Sequence, residues 1–354
     1  MSDLCEQNWW QQPCAKLSED AKQAAISRQA CLTKPPGALG ELENLAIRLA
    51  AMQGMECPTL EKLHICVFAA DHGVAREGVS AFPQEVTAEM VKNFAHGGAA
   101  ISVAAKQLSA DFEIINLGTV STTDDIAGVT NINIAKGTQN FAEQAAMSED
   151  ELQQALNIGR EVAERCSREK VALFIGGEMG IANTTSASAM ACAFLQVSPE
   201  LLAGPGTGLD ESGVKHKAAI ILKALKKHQL QLDSALAVLR TLGGFEIAAL
   251  CAAYIRCAQL GIPVLVDGFI SSTAALCASK LNADVKDWLL FSHQSAEPGH
   301  AALLECLQAR PLLNLSMRLG EGSGAAVAVP LLRMACVLHN QMATFEQAQI
   351  SGKL

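Results

Sequence analysis

Residues 63–73 read LHICVFAADHG. An apolar, β-branched run that stops at Asp71, His72 and Gly73 describes a strand buried on both faces and ended by a polar turn. The same punctuation recurs along the chain. FEIINL (112–117), VALFIG (171–176), ALAVLRTL (235–242), PVLVD (263–267) and DWLLFS (287–292) are further candidate strands. Amphipathic stretches of helical spacing lie between them, including 142–166, 214–227 and 245–260. Strand–helix alternation of this kind predicts an α/β fold, an open parallel sheet with helices on both faces (Rossmann-like).

Outward from this centre the pattern changes. AKLSEDAKQAAISRQACL reads as helix, breaks at Lys34-Pro35-Pro36-Gly37 and resumes as LGELENLAIRLAAMQG. The last 50 or so residues return to helix. We therefore expect residues 1–58 and 305–354 to form the two halves of a small helical domain, and 59–304 to form the α/β domain.

Composition narrows the possibilities. Of 354 residues, 50% are hydrophobic and 18% charged, enough to bury a sizeable core. The net charge of −9 gives no broad positive field for nucleic acid or an anionic membrane. The 12 cysteines stand singly, mostly in apolar runs, and none forms a CxxC pair. That argues for reduced thiols and a cytoplasmic setting, and against structural zinc or a disulfide framework. MSDLCEQNWWQQ lacks the pattern of a signal peptide. The longest apolar run, 324–332, is broken by Pro330 and falls short of the roughly 18 residues of a membrane span.

Ligands of open parallel sheets bind outside the carboxyl ends of the strands. The residues just after the candidate strands are Asp71-His72-Gly73, Gly118-Thr119, Gly176-Gly177-Glu178, Gly243-Gly244-Phe245-Glu246, Asp267-Gly268-Phe269 and Ser292-His293-Gln294-Ser295. Glycine plus a polar residue at nearly every one points to a ligand site. The Gly-rich loop 204–213 feeds a helix whose N-terminus and Lys217 would suit a phosphate, although neither GxxxxGK[ST] nor GxGxxG is present. In LGEGSGAA (319–326) a carboxylate, Glu321, sits between glycines at the entry to an apolar helix, a setting for a general base of raised pKa. Glu178 is a second carboxylate at a strand end, with Asn183 or Thr184 as cap of the next helix. Asp71, His72, Asp267 and His293 would be the residues of an alternative, a metal-dependent phosphohydrolase, but no ligand spacing supports it. A non-catalytic nucleotide-sensing module is the other alternative.

Several longer segments are specific: LTKPPGALGELENLA (32–46), AADHGVAREGVSAFPQEVT (69–87), GGEMGIANTT (176–185), GGFEIAAL (243–250), PVLVDGF (263–269), SHQSAEPG (292–299) and RLGEGSGAA (318–326). In this order they closely resemble the nicotinate-nucleotide:dimethylbenzimidazole phosphoribosyltransferase (CobT) family over about residues 30–340. The resemblance implies transfer of phosphoribose from nicotinate mononucleotide to dimethylbenzimidazole or a related aromatic base, giving α-ribazole 5′-phosphate for the lower ligand of cobalamin. It implies Glu321 as general base and Glu178 as a supporting carboxylate. Gly177, Gly180, Lys217, Ser295, Gly320 and Gly322 would bind the nucleotide, and Phe82, Met90 and Leu319 would line the base pocket. It implies no cofactor or metal, and a homodimer. Asn116 stands where many relatives carry Asp.

Overall fold

The computed structural model describes residues 8–351. Residues 1–7 and 352–354, the outer ends of the two expected helical segments and the start of the leader reading, lie outside the described residues. Six strands form one sheet: β1 Leu63–Ala70, β2 Asp111–Gly118, β3 Val129–Asn131, β4 Leu173–Met179, β5 Val264–Val266 and β6 Leu289–Phe291. Every pairing is parallel and the order is β3-β2-β1-β4-β5-β6. This is the strand order of doubly wound sheets, whose order reverses between the first and fourth strands.

The helices, in chain order, are α1 Glu19–Cys31, α2 Glu41–Gln53, α3 Glu85–Ala95, α4 Ala100–Leu108, α5 Glu149–Arg168 and α6 Asn183–Leu195. They continue with α7 Pro199–Leu202, α8 Glu211–His228, α9 Ala235–Leu242, α10 Phe245–Leu260, α11 Phe269–Leu281, α12 Gly299–Leu307 and α13 Ser323–Gln341. All eight residues of β1 are buried, as expected of a central parallel strand covered on both faces. Glu178 sits opposite Phe68 at the end of the β1–β4 pair, which brings its carboxylate to the carboxyl edge.

Two expectations about elements need correction. ALAVLRTL (235–242) is helix α9, not a strand. Leu and Ala favour helix, Ser234 caps its N-terminus by accepting from Ala237 N–H, and Val238, Leu239, Thr241 and Leu242 make the buried face. Strand β3 has no counterpart among the candidate strands; it has three residues, none fully buried, at the sheet edge. The helix expected from residue 142 starts at Glu149, where Ser148 and Glu151 form a capping box.

Helix α10 is buried nearly all round and packs on β1 and β4, with α5 and α11 beside it. Gly159 makes the α5–α10 approach possible: a Cβ there would overlap the Ala249 carbonyl oxygen. Gly159→Ala should therefore destabilise the fold by about 1–3 kcal/mol, read as a lowered denaturation midpoint. An unchanged midpoint would mean the helices part freely.

The chain ends meet. Leu32 bridges Thr344 antiparallel, and the Arg28 guanidinium donates to the carbonyls of His339 and Asn340 at 2.7 Å each. The expected limit between residues 304 and 305 falls within α12. Helix α13 is long and apolar enough to cross a membrane by length and composition alone, yet 56% of that stretch is buried within the protein. The described cysteines are free; Cys31, Cys57 and Cys306 are exposed rather than in the core.

Candidate active site

The carboxyl ends of β4, β5 and β6 open into a cavity of about 450 Å³. Glu178 and Met179 come from β4, Gly268 and Phe269 follow β5, and His293, Ser295 and Glu297 follow β6. The loop 315–322 closes one side with Arg318, Leu319, Gly320 and Glu321. Phe82, Val86 and Met90 bring an apolar wall, with Phe82 and Leu319 about half exposed at its mouth.

Glu321 adopts a left-handed backbone (φ 65°) between Gly320 and Gly322, which do the same (φ 85° and 86°). A non-glycine residue held there is strained and marks a built position. The strain is held from two sides. Gly177 of β4 lets the Glu321 carbonyl approach, since a Cβ there would overlap that oxygen. Asp267 accepts from Gly322 N–H at 3.2 Å and from Ala325 N–H at 2.8 Å, so the entry to α13 is capped by a carboxylate from β5's end. The Glu321 side chain is 4% exposed, and its Oε2 has no partner. Burial pushes its carboxyl up to about 7; the Ile101 N–H opposes this and Asp267 adds to it.

Glu178 stands beside this loop: a Cβ on Gly320 would lie 2.5 Å from its Oε1. The Asn183 amide donates to Glu178 Oε2, so Asn183 holds a carboxylate and does not cap α6, which lacks a side-chain cap. Burial, then Asp267 and Glu246, raise the Glu178 carboxyl well above its ordinary value against that hydrogen bond, and Glu321 adds to the rise. Two carboxyls with different surroundings thus flank one cavity.

Lys217 is 1% exposed and lies behind the cavity wall. Its Nζ donates to the Gly204 carbonyl at 3.0 Å and to Thr184 Oγ1 at 3.2 Å. Burial lowers it to about 8, opposed by Glu297. The N-terminus of α8 is capped by its own Asp210, which accepts from Gly213 N–H at 2.8 Å, so it is not a free phosphate cradle. Gly180 and Gly320 line the cavity, whereas Gly177 and Gly322 pack together behind it.

Four side chains around the site escape a reading of the sequence. Arg318 lines the cavity and donates to the Gly206 carbonyl at 3.3 Å; Glu297 accepts from Gly206 N–H at 3.1 Å. Both lie inside segments already singled out, but nothing local marks their partner, over 90 residues away. Asp267 and Asn183 stand out in the sequence as a strand end and a cap, not as the groups that hold Glu321 and Glu178.

Asp71 and His72 are engaged below the cavity. Thr87 Oγ1 donates to Asp71 at 2.6 Å, and His72 Nε2 lies 2.7 Å from Glu246 Oε1. Among the described residues, no group of three His, Cys, Asp or Glu side chains is placed to hold a metal ion. Asn116 lies away from the cavity wall, its amide nitrogen within 3.2 Å of oxygens of Thr119, Thr123 and Asn131 and its oxygen accepting from Gly118 N–H. It ties the β2 turn to β3.

A phosphoribosyltransferase family model matches residues 14–350. The nicotinate-nucleotide–dimethylbenzimidazole phosphoribosyltransferase of Pseudomonas putida strain GB-1 is 55% identical over 98% of this chain and 99% of its own length. The enzyme of the same name from Pseudomonas fluorescens strain SBW25 is also 55% identical, with 98% of each chain covered. The crystal structure of CobT from Thermus thermophilus superposes with a TM-score of 0.90 at 42% identity, covering 94% of this chain and all of that one.

Proposed function

This chain belongs to the nicotinate-nucleotide–dimethylbenzimidazole phosphoribosyltransferase family, and from that premise we propose how its own residues carry the reaction. The enzyme moves phosphoribose from nicotinate mononucleotide to dimethylbenzimidazole, releasing nicotinate and forming α-ribazole 5′-phosphate for the lower ligand of cobalamin. The observation that carries the mechanism is a buried carboxylate with one oxygen unpartnered, on a strained loop at the cavity wall: Glu321.

Nicotinate leaves a pyridinium glycoside as a neutral ring nitrogen, so its departure needs no general acid. One nitrogen of the attacking benzimidazole becomes cationic, and the proton on the other must go to a base. Glu321 faces that need with a carboxyl poised near 7, close to working pH, where proton acceptance is most effective. General-base help is worth ~10²–10⁴-fold, or about 3–5.5 kcal/mol. Attack opposite the leaving group turns a β-glycoside into an α-glycoside. Glu178, whose carboxyl burial and the nearby Asp267 push well above its ordinary value, stands beside Glu321 as the supporting group at the cavity wall. The apolar wall of Phe82, Val86 and Met90 suits the flat base, and the Gly180, Ser295, Gly320 and Arg318 side suits the nucleotide. Turnover of nicotinate mononucleotide with dimethylbenzimidazole, product identified by mass, tests the reading; absence of α-ribazole 5′-phosphate would end it.

Lys217 acts on the nucleotide from behind the wall, through its charge and through the Gly204 carbonyl it holds. Lys217→Ala should raise KM for nicotinate mononucleotide roughly 10–150-fold, the loss of about 1.5–3 kcal/mol, with little change for the base. A pure kcat loss would place Lys217 elsewhere.

We read the active form as a cytoplasmic homodimer. Support comes from α13, where Val327, Leu331, Met334 and Val337 form an exposed apolar stripe at helical spacing. Light scattering of the purified enzyme checks it.

A further inference from the structure

The loop after β6 carries Ser295 and Glu297 onto the cavity wall, and one imidazole stands behind it. His300, in the first turn of α12, is fully buried. The Ser295 backbone N–H donates to its Nδ1 at 2.7 Å, and its Nε2 lies 2.9 Å from Ser272 Oγ. A backbone N–H can only donate, so Nδ1 bears no proton; the neutral ring keeps its proton on Nε2 and gives it to Ser272. Burial, with His293 adding, lowers His300 to about 3, so the ring holds this form wherever the enzyme works.

Both ends of this bridge touch the site. Ser272 lies in the first turn of α11, whose leading residues Phe269 and Ile270 line the cavity. Ser295 Oγ accepts from Glu297 N–H at 3.2 Å, which leaves the Ser295 hydroxyl proton free to turn toward a ligand. Glu297 in turn accepts from Gly206 N–H on the opposite loop. Neither Ser295 nor Glu297 is fixed by a helix or strand of its own, because both precede α12.

We propose that His300 is a positioning residue for the donor nucleotide: as the neutral Nε2–H tautomer it pins the Ser295–Glu297 loop to α11, so that the Ser295 hydroxyl meets the nucleotide. The proposal rests on Ser295 being a nucleotide contact, as read above.

The test uses full-length His300→Ala, His300→Asn and His300→Gln, with calorimetric binding of nicotinate mononucleotide and steady-state kinetics for both substrates. His300→Ala raises Kd and KM for the nucleotide roughly tenfold, the worth of one buried hydrogen bond, while KM for dimethylbenzimidazole stays within about twofold. His300→Asn places an acceptor near the Nδ1 position and recovers most of the loss. His300→Gln restores only the donor toward Ser272 and recovers less. Nitrogen-15 spectra of the wild-type ring show a single Nε2–H tautomer across the pH range of activity. Unchanged nucleotide affinity in His300→Ala, a parallel rise in both KM values, or an Nδ1–H or cationic ring overturns the proposal. Should His300→Ala not fold, Asn and Gln decide alone, and Asn no better than Gln overturns it. Wild-type enzyme that does not consume nicotinate mononucleotide overturns the functional reading instead, and the ring tautomer then judges the pin by itself.

Discussion

Glu321→Gln lowers kcat by two orders of magnitude or more while the fold survives, because the change is nearly isosteric and removes only the proton acceptor. The wild-type rate carries a matching signature. Protonated Glu321 takes no proton, so kcat falls about tenfold per pH unit below about 7 and levels off above it. The Gln variant has no such limb. Stability moves the other way. The Glu321 carboxyl titrates near 7 when folded against an ordinary 4.5, so its ionisation opposes folding; the penalty is absent below 4.5, grows between the two values and is complete above 7. Glu321→Gln removes that penalty and is no less stable than wild type at alkaline pH. Near-normal turnover, or an unchanged acid limb in the variant, would take Glu321 out of the base role.

The second large effect belongs to Asp267. Its two oxygens accept from Gly322 and Ala325 N–H, and its Oδ1 is 3.8 Å from His293 Nε2. In Asp267→Asn one oxygen becomes an NH₂ group facing a backbone donor. The strained turn that presents Glu321 relaxes, and a displacement of ~1 Å costs on the order of 10²-fold in kcat. Asp267 also raises the Glu321 carboxyl, so the acid limb of the pH profile shifts to lower pH in the variant. Loss of rate with the limb unmoved would mean that Asp267 acts on the fold and not on Glu321. A normal rate would show that the turn holds without it.

The sheet was legible where hydrophobicity ran without a break. β1 stands out because both its faces are buried; 245–260 was legible as a helix by its spacing, but read as amphipathic, whereas α10 is buried nearly all round. The stretch 235–242 misled because a short apolar run carries no period, so burial on one helical face and burial in a strand look alike. β3 left no trace because three partly exposed residues at an edge need almost no hydrophobic pattern. Of the site, Glu321 was legible for a physical reason: a carboxylate between glycines before an apolar helix announces a special backbone. The groups that hold it were not. Asp267 is more than 50 residues from the N–H groups it caps, and Arg318 more than 100 from the carbonyl it grips. Such partnerships exist only after the chain has folded, and local residue type carries no mark of them.

The stitching of the two chain ends has a kinetic side. Leu32 pairs with Thr344, and Arg28 grips carbonyls 311 and 312 residues further along. Loops of that length close late, because their entropy is spent before any contact rewards it. During synthesis α2 is made before the whole sheet, yet α13, the helix it packs on, comes after it, and α1 packs on α2. Their apolar faces therefore wait, exposed, through the making of the whole sheet. The same seam lies on α13, whose first turn is capped by Asp267 next to Glu321. The helix that α2 waits for is thus also the helix whose entry holds the base.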